Sequence, residues 1–151
     1  MTIVEAMRGV TRVFLDTAPV IYFVERISPY HAVVNYVFDR LDAGTLKAST
    51  SPITLAECLI GAYQSGDTEL QFDFYHLITR GPSTVCGYVD YLAGRQAAEL
   101  RAKYGLSLTD ALQLAMAMGG ACEAFLTNDI ALKRVTEVRV LVLQELEAPS
   151  E

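Results

Sequence analysis

Short apolar runs alternate with helical segments along almost the whole chain, and this alternation constrains the fold more than any other feature of the sequence. Apolar residues between the runs recur at helical spacing, as in the segment 33–41 with its Val-Val-x-x-Val-Phe pattern. Strands that alternate with helices predict an α/β fold with a mainly parallel sheet. The candidate strands are residues 13–15, 46–49, 84–86, 123–127 and 138–142.

Capping residues mark where the helices begin and end. Thr17, Ser51 and Ser107 each precede an apolar helical segment and predict helix starts, since their hydroxyls can accept from free backbone N–H groups. A proline follows Thr17 and Ser51 within two residues, where its missing N–H costs nothing. Gly105 predicts the end of the helix that spans residues 90–104.

Composition indicates one folded domain over residues 1–151, with a polar tail from about residue 144. The chain has 151 residues, of which 52% are hydrophobic, and this suits a chain with a sizeable core. Its net charge of −6 argues against a protein that simply coats nucleic acid, because such proteins are usually basic. A nuclease remains possible, since a bound metal ion inverts the local sign of a carboxylate cluster.

The cysteines and the chain start predict a reducing, cytoplasmic setting. Cys58, Cys86 and Cys122 lie far apart, form no Cys-x-x-Cys pair and are expected to be free, buried thiols. The first residues lack the pattern of an export signal, and no apolar run is long enough to span a membrane.

Four carboxylates are positioned to meet at one edge of the predicted sheet. Asp16 directly follows the first strand and Asp129 follows the fourth, and ligands of open parallel sheets bind beyond the carboxyl ends of the strands. Asp110 lies in the first turn of the helix that leads into the fourth strand, and Glu57 lies in the helix after Ser51. Carboxylates are the ligands that Mg²⁺ and Mn²⁺ prefer, and such ions activate water and neutralise phosphate charge. We therefore expect three or four of these acids to hold one or two ions.

Each acid also has a purely structural interpretation. Asp110 stands three residues after Ser107 and could complete a capping box, alone or together with a metal role. Asp16 could be a turn residue, Asp129 could cap the short helix after it, and Glu57 could form an ion pair. Lys133 and Arg134, which follow Asp129, are candidates for contact with a substrate phosphate, with a solvated helix as the alternative.

Four stretches, in this order and spacing, resemble the motifs of the PIN-domain family, and within it the VapC-like toxin ribonucleases of toxin–antitoxin modules. They are Val-Phe-Leu-Asp-Thr at 13–17, Ser-Pro-Ile-Thr-Leu-Ala-Glu at 51–57, Leu-Ser-Leu-Thr-Asp-Ala-Leu at 106–112 and Phe-Leu-Thr-Asn-Asp at 125–129. The resemblance extends from about Val13 to Val142. It implies a three-layer α/β/α domain in which about five mainly parallel strands lie between helices.

The resemblance also implies a function and its residues. Asp16, Glu57, Asp110 and Asp129 would bind Mg²⁺ or Mn²⁺, and metal-activated water would hydrolyse RNA to products with a 5′-phosphate and a 3′-hydroxyl. Thr127 and Asn128 would orient the fourth acid or the metal water, and Thr17 belongs to the first motif as a supporting residue. The expected partners are RNA, a cognate antitoxin and a second copy of the chain, with no membrane.

Two other functions compete with the ribonuclease. One is a catalytically inactive PIN-like module that binds RNA or protein, although the four acids favour an active enzyme. The other is an unrelated phosphohydrolase or receiver-type domain that uses Asp16 as a phosphoryl acceptor. That alternative is disfavoured because no second aspartate follows Asp16 and no suitable lysine motif is present. Phosphate-binding glycine loops are also absent.

Overall fold

A five-stranded sheet forms the centre of the structure, a computed structural model that describes all residues from Met1 to Glu151. Every neighbouring pair is parallel and the strand order is β3-β2-β1-β4-β5, which confirms the predicted α/β sheet. The strands are β1 (Arg12–Leu15), β2 (Lys47–Thr50), β3 (Thr84–Cys86), β4 (Ala124–Thr127) and β5 (Arg139–Val142).

Seven α-helices connect and cover these strands. Two short 3-10 helices, Ile130–Arg134 and Leu143–Glu145, follow β4 and β5. None of the helices is long and apolar enough to cross a lipid bilayer. The α-helices are α1 (Ile3–Ala6), α2 (Thr17–Val24), α3 (Tyr30–Asp42), α4 (Pro52–Ser65), α5 (Thr68–Arg80), α6 (Tyr91–Tyr104) and α7 (Leu108–Gly119).

The predicted caps at Ser51, Ser107 and Gly105 are confirmed, whereas the start of α2 differs. The Ser51 hydroxyl accepts from two backbone N–H groups, the Ser107 hydroxyl accepts from one, and Gly105 ends α6 with a left-handed φ of 68°. Thr17 was expected to cap α2, but it is the first helical residue, and Asp16 precedes it in extended conformation. The Thr17 hydroxyl contacts Glu57 instead of the backbone of its own helix.

The sheet separates two apolar cores, which produces the expected three layers. Alternate residues of a strand point to opposite faces, so Val13 and Leu15 enter the core under α1–α5 while Phe14 enters the core under α6 and α7. Phe14 and Phe125, from neighbouring strands, stack in this second core with their ring centroids 5.2 Å apart. Both rings are fully buried.

Backbone hydrogen bonds join the two ends of the chain, which the sequence did not indicate. A polar tail was expected from about residue 144, but Ile3 N donates to Glu147 O at 2.9 Å and Glu147 N donates to Met1 O at 3.0 Å. Leu143, just before, is fully buried. The sequence did not indicate α1, which a reciprocal capping box between Thr2 and Glu5 stabilises.

Phe14→Ala should lower the free energy of unfolding by about 3–5 kcal/mol, because it removes a buried ring and leaves a cavity between β1 and β4. Urea unfolding followed by circular dichroism measures this loss. Phe72→Ala is the matched control, since the Phe72 side chain is 64% exposed and its removal should change stability by less than about 0.5 kcal/mol. Equal losses from the two variants would contradict the assignment of Phe14 to the core.

Candidate active site

Adjacent parallel strands bring the first and fourth predicted motifs together. β1 and β4 pair with Leu15 opposite Leu126, and Asp16 N donates to Leu126 O at 3.0 Å. Asp16 and the segment 127–129 therefore leave the sheet side by side at its carboxyl edge. This is the edge where open parallel sheets bind their ligands.

Thr127 connects the first and fourth acids. Its hydroxyl donates to Asp16 Oδ2 at 2.8 Å and accepts from Asp129 N at 3.1 Å. The Thr127 oxygen accepts the bond from Asp129 N, so the single hydroxyl proton of Thr127 can only be donated to Asp16. Thr127 thus orients the Asp16 carboxylate and fixes the backbone at Asp129, and its supporting role at a metal site stays a prediction.

Glu57 lies on α4 next to the start of α2. The Thr17 hydroxyl donates to Glu57 Oε1 at 3.0 Å, which places this exposed carboxylate beside Asp16. The neighbouring Cys58 thiol is buried, and burial raises its pKa to about 12, with further increases from the charges of Glu57 and Asp16. The charges of Glu57 and Asp16 therefore both act on the region around Cys58.

The Asp110 carboxylate does not complete the predicted capping box. Ser107 Oγ accepts from Asp110 N at 3.1 Å, but the reciprocal bond from Ser107 N to the Asp110 side chain is absent, so only half of the capping box forms. Burial raises the pKa of the half-buried Asp110 carboxyl, the Ser107 hydroxyl lowers it, and the charges of Asp16 and Asp129 raise it again. Asp110 is thus close enough to both acids to feel their charge.

The Asp16 carboxylate has neutral donors and no cation beside it. Burial raises its pKa; hydrogen bonds from Thr127, from the Thr17 backbone and from Gln113 lower it, and the charge of Glu57 raises it. All three salt bridges lie elsewhere, and none includes the four acids. Negative charge is therefore concentrated at this edge of the sheet without compensation.

The acids meet in pairs. Charge coupling joins Asp16 with Glu57, Asp16 with Asp110, and Asp110 with Asp129. No group of three or more histidine, cysteine or acidic side chains is placed so that it could hold one metal ion. The expectation that three or four of these acids hold one or two ions therefore stays a prediction.

Asn128 is placed differently from the sequence-based expectation. Its Nδ2 donates to the Tyr22 hydroxyl at 3.0 Å, and its Oδ1 accepts from Gln144 N at 2.9 Å. Both ends of the amide are thus used to hold α2 and the segment after β5. The side chain that contacts the acids in this motif is Thr127.

Gln113 is a site residue that sequence reasoning missed. Its side chain is 1% exposed, and Nε2 donates to Asp16 Oδ1 at 3.3 Å and to Thr54 Oγ1 at 2.8 Å, while Oε1 accepts from Ser51 Oγ. The available signal was a lone amide among the apolar residues of α7, three positions after Asp110. Residues three apart on a helix lie on the same side.

The two basic residues after Asp129 differ in their surroundings. Lys133 Nζ lies 2.6 Å from Glu145 Oε2 in an ion pair, so its charge is already partnered. Arg134 is exposed, and its Nε donates to the Ala131 carbonyl at 3.2 Å. Arg134 is therefore the more available of the two for a phosphate, and its contact with substrate stays a prediction.

A family model described as "PIN domain" matches residues 13–138, which is well over half of the chain and includes all four motifs. The chain belongs to the PIN domain family. This confirms the resemblance noted from the motifs. No curated protein matches this PIN domain significantly.

Solved structures of similar proteins share the fold of this PIN domain. They include VapBC2 from Rickettsia felis (TM-score 0.69, 19% identity, 87% of this chain and 98% of that chain). FitAcB from Neisseria gonorrhoeae matches with a TM-score of 0.67 and 20% identity over 89% of this chain and 99% of that one. VapC20 from Mycobacterium tuberculosis, described as a sarcin-ricin loop cleaving toxin, matches with a TM-score of 0.63 and 17% identity over 84% and 98%.

Asp16→Asn should stabilise the metal-free protein relative to wild type, and the gain should grow as the pH rises. Burial raises the pKa of Asp16 above its usual value of 3.8 in the folded protein, so the folded state binds its proton more tightly. The stability from this group is complete below pH 3.8 and is lost as the pH rises through the folded pKa. Asparagine is neutral at every pH, so the variant does not lose this part of the free energy of unfolding.

Thermal unfolding in EDTA between pH 4 and 7 measures the effect. Asp39→Asn, at an exposed position on α3, is the control and should show no growing difference. A melting difference between Asp16→Asn and wild type that stays constant across this range would contradict the burial of a charged Asp16.

Proposed function

We propose that this PIN domain is a divalent-metal-dependent endoribonuclease and the toxin of a toxin–antitoxin pair. The observation that carries the proposal is the concentration of Asp16, Glu57, Asp110 and Asp129 at the carboxyl edge of the sheet with no cation beside them. Family membership supports a nuclease, and the similar structures include one described as a toxin–antitoxin complex from Klebsiella pneumoniae and one described as a member of the VapBC family of toxin–antitoxin systems from Mycobacterium tuberculosis. The free thiols suit a reducing compartment, and we place the activity in the cytoplasm.

The residues fit a hard divalent cation. All candidate ligands are carboxylate oxygens. Burial, with a smaller contribution from the charges of the neighbouring acids, raises the pKa of Asp16 and Asp110, and a bound cation would lower it. Mg²⁺ keeps several waters and is commonly held by one or two carboxylates together with substrate phosphates. Pairs of acids therefore meet its needs without a three-ligand cage. Asp16 with Glu57, or Asp16 with Asp110, would hold such an ion.

When bound, the ion would supply activated water and neutralise charge on the phosphodiester. The chain's own residues have distinct parts in this chemistry. Asp16 is held in one orientation by Thr127, while Thr17 positions Glu57 through its hydroxyl. Asp129 is exposed and its backbone is held by Thr127, so substrate could reach its carboxylate, although its Oδ1 also accepts from Ala131 N at 3.0 Å and caps the 3-10 helix. Arg134 is close in sequence and free to contact a phosphate.

RNA is the proposed substrate. VapC20, which shares the fold at 17% identity, is described as a toxin that cleaves the sarcin-ricin loop. With a net charge of −6, this PIN domain would hold RNA through few phosphate contacts. Such a surface suits a structured target recognised by its shape more than long single strands.

An inactive binding module is the second candidate. It is favoured by the absence of three converging ligands in the metal-free structure. It does not explain why four uncompensated acids are kept at one edge, which destabilises the protein without giving any binding surface for RNA. The phosphoryl-acceptor alternative has no support from the family match.

Asp16→Asn, Asp110→Asn and Asp129→Asn should each keep the fold, lose Mn²⁺ affinity and lose cleavage of total RNA. Each change replaces a charged carboxylate by a neutral amide of the same shape, so the site loses one negative charge and one oxygen ligand. Asp110→Asn also retains the Ser107 cap, because that bond is made by the Asp110 backbone. Calorimetric titration with Mn²⁺, followed by a cleavage assay, measures both losses.

Asp39→Asn is the control and should behave as wild type. No metal binding and no cleavage by antitoxin-free wild type would favour the inactive module. If Asp110→Asn lowers the melting temperature and leaves the Mn²⁺ affinity unchanged, the Asp110 carboxylate stabilises the helix and does not bind the ion.

We also propose that the antitoxin docks at a cation-lined cavity of about 600 Å³ between α2, α3 and α5. Arg26 and Arg80 line it without an ion pair, together with both histidines of this acidic chain, while Asp73 is its only carboxylate. Phe72 adds an exposed aromatic surface at its wall. Arginine and aromatic residues are enriched in protein interfaces, so an antitoxin segment that carries carboxylates would complement this cavity. A homodimer remains a prediction from the family resemblance.

Charge reversal of Arg26 and Arg80 to Glu should weaken antitoxin binding by about tenfold or more, since each 1.4 kcal/mol of lost attraction is a factor of ten. Arg95→Glu on α6 is the matched control, because Arg95 is exposed and pairs only with Glu99 of its own helix. Titration of the co-expressed antitoxin at two salt concentrations measures the effect. Unchanged antitoxin affinity, or a loss of Mn²⁺ affinity instead, would contradict this location.

A further inference from the structure

Gln113 lies where the elements that carry three of the four acids meet. It lies on α7, one turn after Asp110. Its amide contacts Asp16 at the end of β1, and also Ser51 and Thr54 at the start of α4, the helix that carries Glu57. The contacts with Ser51 and Thr54 are buried, and the contact with Asp16 is partly buried.

The orientation of the amide is set by the hydrogen bonds of its neighbours. Ser51 Oγ accepts from Ile53 N at 3.2 Å and from Thr54 N at 3.1 Å, so its proton is left for Gln113 Oε1. A hydroxyl oxygen has two lone pairs, and both are used here. Gln113 therefore presents its carbonyl oxygen to Ser51 and its NH₂ group to the opposite side.

Thr54 gives the same orientation independently. Its hydroxyl donates to the Leu15 carbonyl at 3.1 Å, so its oxygen can only accept from Gln113, and Nε2 donates to it at 2.8 Å. The second hydrogen of Nε2 is then directed to Asp16 Oδ1 at 3.3 Å. A flipped amide would place its carbonyl oxygen against both Asp16 and the Thr54 oxygen, with no hydrogen between them.

We propose that Gln113 is a positioning residue for the metal site, which sets the orientation of the Asp16 carboxylate and the spacing of β1, α4 and α7. This proposal rests on the proposed metal-dependent function. Thr127 donates to Oδ2 and Gln113 donates to Oδ1, so both oxygens of Asp16 are held by donors of defined direction. A carboxylate oxygen has more than one lone pair, so each oxygen could still bind a cation while it accepts one of these bonds.

Packing alone does not require glutamine at position 113, because an apolar side chain of the same length would fill the same space. What glutamine adds is its hydrogen bonds. Hydrogen bonds to metal-ligating side chains orient them and are commonly worth 10- to 100-fold in metal affinity. Gln113 also offers only hydrogens to Asp16, so it favours the ionised carboxylate that a cation needs. An acid at this position would place a second oxygen against Asp16.

The test compares Gln113→Met with Thr50→Val. Methionine keeps the unbranched shape of glutamine but donates no hydrogen bond. Thr50 is an equally buried polar residue, whose hydroxyl donates to the Ile78 carbonyl at 2.8 Å, away from the acids. Both variants should lower the melting temperature, whereas only Gln113→Met should reduce Mn²⁺ affinity, by about 10- to 100-fold. Calorimetry with Mn²⁺ alone, at a temperature where both variants are folded, measures the difference.

A second measurement uses the wild-type chain and so does not depend on whether the variant folds. The two side-chain amide hydrogens of Gln113 should exchange slowly with solvent, and their NMR signals should shift when Mg²⁺ is added. Slow exchange without a metal-linked shift would show a structural role only and would overturn the proposal, as would equal Mn²⁺ affinity of Gln113→Met and wild type. If wild type binds no Mn²⁺, the proposed function itself fails and this inference fails with it.

Discussion

The central position of β1 in a parallel sheet is the constraint on which the site depends. β1 pairs with β2 on one side and β4 on the other, and its side chains enter the cores on both faces. Its carboxyl end lies beside α2, which follows it directly, α4, which follows β2, and α7, which precedes β4. Asp16, the residue after β1, has neighbours on four other elements: Thr17 on α2, Glu57 on α4, Gln113 on α7 and Thr127 at the end of β4.

Electrostatics in this region favour function over stability. Four carboxylates lie near one another, and the basic residues form their ion pairs elsewhere. Neutral donors hold Asp16 in place without cancelling its charge, whereas a lysine or arginine in the same place would occupy the position of a cation. Like charges and burial raise the pKa of Asp16 and Asp110. Strained charge arrangements of this kind are common at functional sites, where the rest of the fold offsets their cost.

Sequence reasoning succeeded where local patterns carry the information. Strand and helix alternation predicted the sheet, and the caps at Ser51, Ser107 and Gly105 were readable because capping depends on residues only two or three positions away. It was less successful where a side chain chooses between a local and a distant partner. Thr17 contacts Glu57 rather than capping its helix, Asn128 holds Tyr22 and Gln144 rather than an acid, and Lys133 pairs with Glu145. Gln113 was missed because its three partners lie 59 or more positions away in the chain.

The sequence by itself determined the α/β class, the order of the strands and helices along the chain, and the four acids at the ends of their elements. These follow from short-range periodicity and from the motifs that identify the family. Only the tertiary structure decided which strands are neighbours, which acids are coupled, and which neutral side chains hold Asp16. The physical reason is that hydrogen bonds and charge interactions act over a few ångströms in space, whereas the residues that make them are separated by tens of positions in sequence. Packing of the two cores against the sheet brings these residues within that range.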